Sequence, residues 1–414
     1  PTYHLLTFPF ISSNLPSDDF DTFLAEGRIR LLVEELNDYL QEVATEVAAL
    51  LTDGTVPEDN AAPDIPRTAR PMPEVRVGFT PLHGVGGIPV RAALEDAGFT
   101  VLPVESQFAP DGNFPTIATP NPELPVAFQG LFALAGETPC DLLIATDPDC
   151  DRVGIAVPAD EGWQIITGNQ LGALLIDYIG RLRKARPGDT VVTTTVTSSF
   201  GKAVARARGF EVSTTFTGFK YIGTRIDEIV DDPARTFVFG YEESYGYLFG
   251  THARDKDAVV TALLCALMVR QCKTDGTTVL KRLDALYEET GPVCDILINK
   301  VFDPIPGRES ISDAFMKHLR TDSPEEFGGM LITQKIDFIN GFDTFSKENV
   351  IQYRLNGDSV VSFRPSGTEP KLKCYISARG RTPDEARALG TKLEQAFHRL
   401  VAQISGDTAP KTES

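Results

Sequence analysis

Three aspartates at alternate positions could hold a metal ion. Asp147, Asp149 and Asp151 lie in the stretch ATDPDCDRVG, directly after the apolar residues 142–144. Carboxylates this close together repel one another unless a cation compensates their charge. An oxygen-only ligand set suits a hard divalent ion such as Mg²⁺. The pattern therefore predicts a metal site, with Arg152 beside it.

An Mg²⁺ site has two alternatives at this spacing of acids. A calcium-binding EF-hand needs Gly at its sixth position and Glu at its twelfth, where this chain has Arg152 and Pro158, so the sequence excludes it. A solvated acidic turn stays an alternative. The position directly after a buried strand favours the metal site, because open α/β sheets bind ligands at the carboxyl ends of their strands.

A second polar cluster, RPSGTEPK at residues 364–371, has the composition of a phosphate-binding turn. A guanidinium, two hydroxyls, an ammonium group and the backbone N–H groups of such a turn can surround an anion together. An ordinary polar hairpin turn is the alternative, since Pro, Ser and Gly are common turn residues. The predicted phosphate-binding residues are Arg364, Ser366, Gly367, Thr368 and Lys371.

A third cluster, GYEESYG at residues 240–246, follows the apolar strand TFVF. The carboxylate of Glu242 and the hydroxyl of Ser244 match the vicinal hydroxyls of a sugar, because unpaired polar groups in such a site penalise a wrong substrate. Surface acids that cap a helix would give the same pattern. Lys220 in TGFK and Lys256 in HARDKD could bind phosphate or transfer a proton, or be ordinary surface charges.

The composition restricts the classes of partner. The 414 residues carry a net charge of −19, and their Lys and Arg residues are scattered, which argues against nucleic acid and against an anionic membrane. The longest apolar stretch, residues 258–269, is too short for a membrane span and predicts a buried helix. Six cysteines without paired spacing predict reduced thiols and a cytoplasmic location.

The chain divides into several predicted domains. The strand, loop and helix pattern begins near Val75, after a helix predicted over 28–51 and a linker predicted over 55–73. We expect an α/β fold of consecutive three-layer α/β/α domains with mixed sheets, an α+β domain at the C-terminal end and an incomplete N-terminal domain. The predicted boundaries are 1–74, 75–166 with the aspartates, 167–292 with GYEESYG, 293–404 with RPSGTEPK, and a tail over 405–414.

The motifs TPLHGVGG, PDGNFPT, PNPE, ATDPDCDR, TGFK, GYEESYGYL, RDKDA and RPSGTEPKLK occur in the order found in the α-D-phosphohexomutase superfamily. The resemblance extends over about residues 75–401, and the forms EESYGYL and RDKDA are most similar to the bacterial phosphoglucomutase branch. It implies an Mg²⁺-dependent enzyme of four domains that interconverts glucose 1-phosphate and glucose 6-phosphate. A phosphoserine would donate its phosphoryl group to the sugar, with glucose 1,6-bisphosphate as the intermediate.

The resemblance also implies a role for individual residues. The three aspartates would form the Mg²⁺ loop, and Arg152 would be an active-site arginine beside it. Lys256 would be a catalytic general acid or base. The sugar-binding residues would be Glu242, Ser244, Thr217, Gly218 and Lys220, and the phosphate loop would contain Arg364, Ser366, Gly367 and Thr368.

One part of the family pattern is not found in this chain. The family carries a loop of the type Thr-Ala-Ser-His-Asn-Pro, whose serine is phosphorylated, and no such string occurs here. Only ISSNLP, with Ser12 and Ser13, is faintly similar, so the nucleophile stays unidentified. Two alternatives follow: a fragment or truncated mutase, and a homologue that binds sugar phosphates without turnover. A separate alternative concerns the substrate: a mutase for mannose or pentose phosphates. An aspartyl phosphatase that uses the pair Asp147 and Asp149 is a further hypothesis. The oligomeric state is not readable.

Overall fold

The computed structural model describes residues 33–51, 72–302, 310–341, 347–366 and 371–405. Ser12 and Ser13, most of the predicted linker, and Gly367 and Thr368 lie outside these residues. Within them, the helix α1 (Val33–Leu51) lies inside the range predicted for the first helix. The rest of the described chain forms three β-sheets, one after another along the sequence, with helices between their strands.

The first sheet is mixed. β1 pairs in parallel with β2 and β3, whereas β3, β4 and β5 pair antiparallel in a meander. The order across the sheet is β2-β1-β3-β4-β5. Its strands are β1 (Arg76–Thr80), β2 (Thr100–Pro103), β3 (Leu142–Thr146), β4 (Val153–Pro158) and β5 (Trp163–Ile166), and its helices are α2 (Gly87–Asp96), α3 (Glu105–Phe108) and α4 (Gln129–Glu137), with a 3-10 turn over Pro125–Phe128.

Both faces of this sheet are covered, which explains why β3 is a continuous apolar run. Alternate side chains of a strand point to opposite faces. Ile144 is buried in the same core as α2, whereas Leu143 is buried in a second core with Phe128 and Leu131. A strand buried on both sides leaves only its end open to solvent, and the aspartates begin at that end.

The second sheet has a similar construction, with parallel β7, β6 and β8 and an antiparallel β9, in the order β7-β6-β8-β9. Thr167 caps the first helix of this unit in a capping box with Gln170, and Ser198 caps the helix that follows β6. The elements are α5 (Gly168–Leu182), β6 (Asp189–Thr194), α6 (Ser199–Ala207), β7 (Glu211–Thr215), α7 (Phe219–Val230), β8 (Thr236–Glu242), β9 (Gly246–Phe249), α8 (Ala258–Thr274) and α9 (Val279–Thr290).

Helix α8 joins the first two sheets. The buried helix predicted from residue 258 is present, and its side chains share one core with β1, β3 and α2 of the first sheet and with β8 and β9 of the second. Asp257 caps it by accepting the N–H groups of Val259 and Val260, and it also accepts hydrogen bonds from Tyr39 of α1 and from His252. A shared core of this kind holds the loops at the ends of both sheets in one arrangement.

The third sheet is antiparallel throughout, in the order β10-β15-β14-β13-β12-β11. One face packs on two helices through an aromatic core that includes Phe315, Phe363 and Phe397. The elements are β10 (Val293–Val301), α10 (Ile311–Thr321), β11 (Glu326–Phe327), β12 (Met330–Asp337), β13 (Ile351–Leu355), β14 (Val360–Pro365), β15 (Lys371–Arg379) and α11 (Pro383–Ser405), with 3-10 turns over Phe338–Asn340 and Asn356–Asp358.

The opposite face of the third sheet contacts the second unit through polar side chains and through an apolar cluster around Phe338. Gln352 of β13 donates to the main-chain oxygen of Thr195 at 3.0 Å, and the hydroxyls of Ser198 and Ser377 are 3.4 Å apart. The expected fold class, with mixed sheets in consecutive α/β units and a different C-terminal unit, is confirmed.

Candidate active site

The three aspartates converge as the spacing predicts. The metal loop, residues 147–152, connects the end of β3 to the start of β4. One carboxylate oxygen from each of Asp147, Asp149 and Asp151 lies within 4.8 Å of the others. Asp147 is fully buried, Asp151 is half-buried and Asp149 is exposed. The set therefore presents hard oxygen ligands from a buried base towards solvent, which fits a divalent cation such as Mg²⁺.

Backbone and side-chain donors hold the buried aspartate in place. One oxygen of Asp147 accepts the N–H groups of Asp151 and Arg152, at 3.1 and 2.8 Å, and the other accepts Nε of Arg152 at 2.6 Å. Burial and then the charge of Asp151 nevertheless raise the pKa of Asp147 to about 7, although Arg152 opposes this. Burial is the main cause of this rise, and a cation bound between the three carboxylates would oppose it.

The glycine-rich turn after β1 packs against the metal loop. The N–H of Val85 donates to the main-chain oxygen of Pro148 at 2.8 Å. A Cβ atom at Gly84 would lie 2.3 Å from Cα of Pro148, which is closer than any side chain allows. The close approach requires glycine at this position and explains the first glycine of the motif TPLHGVGG.

The metal loop contacts the sugar loop, residues 242–246, which connects β8 to β9. Arg152 and Gly246 form an isolated β-bridge, and the N–H of Val153 donates to the main-chain oxygen of Tyr245 at 3.0 Å. The other end of the Arg152 side chain pairs with Glu123 at 3.1 Å. The two predicted loops, about 90 residues apart in the sequence, are therefore adjacent.

Lys256 lies between these two loops. Its Nζ is 2.9 Å from Asp151 and 2.8 Å from Asp255. Its aliphatic part packs so closely on Gly246 that a Cβ atom there would clash with it. Burial acts to lower the pKa of Lys256, but the hydrogen bond to Asp255 and the charge of Asp151 outweigh it and raise the pKa. Lys256 is consequently an ammonium group at neutral pH.

The first residue of the sugar loop contacts the TGFK loop, residues 217–220. Glu242 is buried and accepts the N–H of Gly218 at 2.7 Å, where the backbone has the positive φ of 118° that glycine adopts readily. Burial raises the pKa of Glu242, while Gly218, Lys256 and Arg364 lower it. The hydroxyl oxygen of Thr217 is buried without a hydrogen-bond partner among the described residues, and Ser244 is half-buried.

The phosphate loop, residues 364–371, connects β14 to β15, and its described part lies near the TGFK loop. Arg364 pairs with Glu348 at 3.4 Å, and Lys220 and Arg364 both lower the pKa of that glutamate against the effect of burial. The N–H of Ser366 donates to the main-chain oxygen of Lys371 at 2.7 Å, which closes the base of the turn. Lys220 also lies over the ring of Tyr221, with its Nζ 4.9 Å from the centroid.

Three residues with clear positions in this site were not assigned a role from the sequence. Glu123, at the end of PNPE, pairs with Arg152, and Glu348 pairs with Arg364. Glu243 receives a hydrogen bond from Thr197 at 3.4 Å, and burial, followed by the charge of Glu242, raises its pKa to about 7. The only available signal was the position of Glu123 and Glu243 inside quoted motifs.

Comparisons with known proteins show the family of the chain. Two family models match the chain: phosphoglucomutase/phosphomannomutase alpha/beta/alpha domain II over residues 55–162 and domain III over residues 167–290. Together these ranges cover more than half of the sequence. The chain belongs to the α-D-phosphohexomutase superfamily.

Relatives from staphylococci show how much of a superfamily member this chain spans. It is 34% identical over 328 residues to the phosphoglucomutase of Staphylococcus aureus strain MSSA476, a match of 76% of this chain and 59% of that protein. The match to the phosphoglucomutase of Staphylococcus epidermidis strain ATCC 12228 is 34% over 320 residues, with 74% and 58% covered. The chain thus spans about three fifths of the length of these relatives.

Solved structures of the superfamily share the fold. The open form of parafusin, a phosphoglucomutase from Paramecium, has a TM-score of 0.62 at 18% identity, with 92% of this chain and 64% of that chain covered. A phosphoglucomutase/phosphomannomutase family protein from Burkholderia thailandensis has a TM-score of 0.58 at 16% identity, with 90% and 66% covered.

No helix in the described part of the chain has the length and hydropathy needed to span a membrane.

Proposed function

We propose that this chain acts in the Mg²⁺-dependent interconversion of glucose 1-phosphate and glucose 6-phosphate, through a phosphoserine and glucose 1,6-bisphosphate. The observation that carries the proposal is the direct contact between predicted metal and sugar residues. Arg152 and Lys256 both touch the aspartates and both border the sugar loop. Phosphoryl transfer needs positive charge and alignment at the place where the sugar is held.

In this proposal Asp147, Asp149 and Asp151 hold Mg²⁺, which they fit as an oxygen-only set. When bound there, Mg²⁺ would supply positive charge next to the phosphoryl group that is transferred. Arg152 restrains Asp147 by its 2.6 Å hydrogen bond. This proposal assigns no residue as the phosphoserine, because Ser12 and Ser13 lie outside the described residues.

Glu242 and Ser244 are the proposed contacts of the sugar hydroxyls. Glu242 is held by Gly218 through one oxygen, which leaves the second oxygen able to accept from a hydroxyl. Arg364, Ser366 and Lys371 are the proposed contacts of the phosphate that is not being transferred. The charge of Arg364 acts to lower the pKa of Glu242, which supports one site for the sugar and phosphate contacts.

Lys256 is proposed as a proton donor and electrostatic contact. Its raised pKa keeps the ammonium form at neutral pH, so it can offer positive charge and a hydrogen bond to an oxygen that develops negative charge. Release of the proton itself would require a substrate that displaces Asp151 and Asp255 and so lowers this pKa. A general base at this position would have to lose its hydrogen bonds to Asp151 and Asp255 first.

The test is a coupled assay for glucose 6-phosphate formed from glucose 1-phosphate, with Mg²⁺ and a trace of the bisphosphate. Turnover by the purified chain that disappears with EDTA and in the variant Asp149→Ala supports the proposal. Turnover that ignores both changes contradicts it. Comparing kcat/KM for glucose, mannose and ribose 1-phosphates separates the three substrate classes, and we expect glucose to lead because of the EES motif.

A sugar-phosphate-binding protein without turnover is the second candidate, favoured by the lack of a recognisable phosphoserine string in the sequence. Titration calorimetry with glucose 1,6-bisphosphate distinguishes the two. Binding without turnover assigns the chain to the second candidate, and the absence of both excludes the two together.

A further inference from the structure

A cavity of about 340 Å³ lies between helix α6 of the second unit and the face of the third sheet that contacts this unit. It is bounded on one side by the residues after β6 and by α6, and on the other side by β12, β13, β14 and β15. The phosphate loop lies at the end of β14, whereas the lining residues of β14 are Val360 and Ser362, nearer its start. No sequence motif pointed to this cavity.

Three cations line the cavity. Lys202 and Arg206 are four residues apart on α6 and therefore share one face of the helix. Arg354 of β13 faces them from the third sheet. None of these three side chains forms a salt bridge with a carboxylate of the described residues. Lys202 donates to the main-chain oxygen of Thr194 at 2.9 Å, and Arg354 donates to Gln334 at 3.2 Å, which leaves further donors on both.

The proximity of these charges is visible in their effect on Lys202. Burial, followed by the charges of Arg206 and Arg354, lowers the pKa of Lys202 to about 8, while Glu243 acts in the opposite direction. Cations that converge without a carboxylate in direct contact destabilise one another. In a chain with a net charge of −19, such a group is not explained by the general charge balance.

An unpaired hydroxyl provides an independent observation. Thr195 lines the cavity and is only 7% exposed, and its hydroxyl oxygen has no hydrogen-bond partner among the described residues. Its main-chain oxygen is held by Gln352, which also bonds the hydroxyl of Ser362 at 3.0 Å. A buried polar group without a partner costs free energy that a bound ligand would recover.

We propose that this cavity binds a small phosphate-bearing anion, between the second and third units and apart from the predicted phosphate loop. Two guanidinium groups, one ammonium group and neighbouring hydroxyls match a phosphate dianion in charge and in hydrogen-bonding capacity. The volume admits inorganic phosphate or a small phosphorylated metabolite, at the lower end of the range for small-molecule pockets.

An anion at this place would act on the candidate active site through shared walls. Thr197 lines the cavity and donates to Glu243 of the sugar loop at 3.4 Å. Tyr375 also lines it, and a hydrogen bond to Arg364 acts on its pKa. A ligand that joins α6 to the third sheet would therefore stabilise one relative position of the sugar and phosphate loops. This effect on turnover rests on the proposed function, whereas binding itself does not.

The test uses the purified full chain and inorganic phosphate, followed by hydrogen–deuterium exchange resolved along the sequence. We expect phosphate to protect residues 195–206 and 352–362 in addition to any protection near residues 364–373. The double variant Lys202→Gln/Arg354→Gln should weaken the first protection at least about tenfold in phosphate concentration, because charged hydrogen bonds are lost. Protection near residues 364–373 should persist in that variant.

Arg381→Gln is the matched control, because Arg381 is an exposed cation of the third unit that pairs only with Glu385 in the described structure. It should bind phosphate as the parent does. If the double variant does not fold, Arg206→Gln replaces it, because the Arg206 side chain is exposed. Phosphate protection confined to residues 364–373 in the parent chain, or equal protection in parent and variant, overturns the proposal. Repeating the titration with glycerol 3-phosphate decides whether a free phosphate or a phosphate monoester binds more tightly.

Discussion

Two regions of the molecule concentrate charge of opposite sign. The metal loop places Asp147, Asp149 and Asp151 within five consecutive residues, and the backbone N–H groups of the same loop hold the buried one. The cationic cavity takes Lys202 from a helix and Arg354 from a strand about 150 residues further along the chain. Both regions carry more like charge than their surroundings compensate, and both therefore fit a ligand of opposite sign.

The difference lies in how each charge cluster is assembled. A local cluster persists as long as one loop keeps its conformation, whereas the cavity exists only while the second and third units stay in contact. We therefore expect changes in the metal loop to abolish a function outright, and changes around the cavity to tune affinity and position.

The largest expected effect tests the metal loop directly. Asp149→Ala should lower the proposed phosphoglucomutase activity at least about 1000-fold, because the reaction would lose the positive charge of the ion that the aspartates would hold. The folded structure should be retained, since the Asp149 side chain is exposed. A coupled assay and a calorimetric Mg²⁺ titration check both expectations, with the exposed Asp160→Ala as control. Unchanged Mg²⁺ affinity in Asp149→Ala would contradict the assignment.

The next effect concerns the counter-charge inside the metal loop. Arg152→Met should lower the free energy of unfolding of the metal-free chain by about 3 kcal/mol, because Asp147 stays buried without its 2.6 Å partner. Chemical denaturation with and without Mg²⁺ measures this, and added Mg²⁺ should restore part of the loss. Arg91→Met, which breaks an exposed ion pair on α2, should change the value by less than about 0.5 kcal/mol. Equal losses of unfolding free energy in the two variants would contradict the prediction that the buried pair of Arg152 and Asp147 stabilises the fold more than an exposed pair does.

A third prediction concerns the close approach of the glycine-rich turn. Gly84→Ala should destabilise the first unit by about 2 kcal/mol and weaken Mg²⁺ binding, because its Cβ would strike the backbone of Pro148. Thermal unfolding and Mg²⁺ titration are the measurements. Gly136→Ala on α4 is the control, since a Cβ there meets nothing within 4 Å and alanine favours a helix. Unchanged Mg²⁺ affinity in Gly84→Ala would contradict the prediction that this turn positions the metal loop.

The smallest effect tests the cavity through pH. Lys202 faces Arg206, Arg354 and Glu243, and burial with the two arginines holds its pKa at about 8, below its usual 10.5. Phosphate affinity should therefore fall, by up to about tenfold, as the pH rises through 8 and the ammonium is lost. The same lowered pKa means that the free chain gains stability between pH 8 and 10.5, because the unfolded state binds the extra proton. Phosphate affinity that is constant over this range would remove Lys202 from the site.

Much of the fold was predictable because its signals are local. The run at residues 142–144 and the apolar stretch from residue 258 are buried as expected, since each is apolar on every side. The likeness in construction between the first two units follows from repeated strand, loop and helix patterns. The pairing partners of Arg152 and Arg364 were not predictable, because Glu123 and Glu348 are distant in the sequence and carry no spacing signal.

The sequence by itself determined the three aspartates, the sugar loop and the described part of the phosphate loop as polar clusters at strand ends, because the chemistry of each lies within a few consecutive residues. The tertiary structure decided that Arg152 and Lys256 lie between the first two clusters, and that Lys202, Arg206 and Arg354 surround one cavity. The physical reason is the shared core around α8 and the polar contact of the third sheet, which bring together elements whose separation along the chain conceals their proximity.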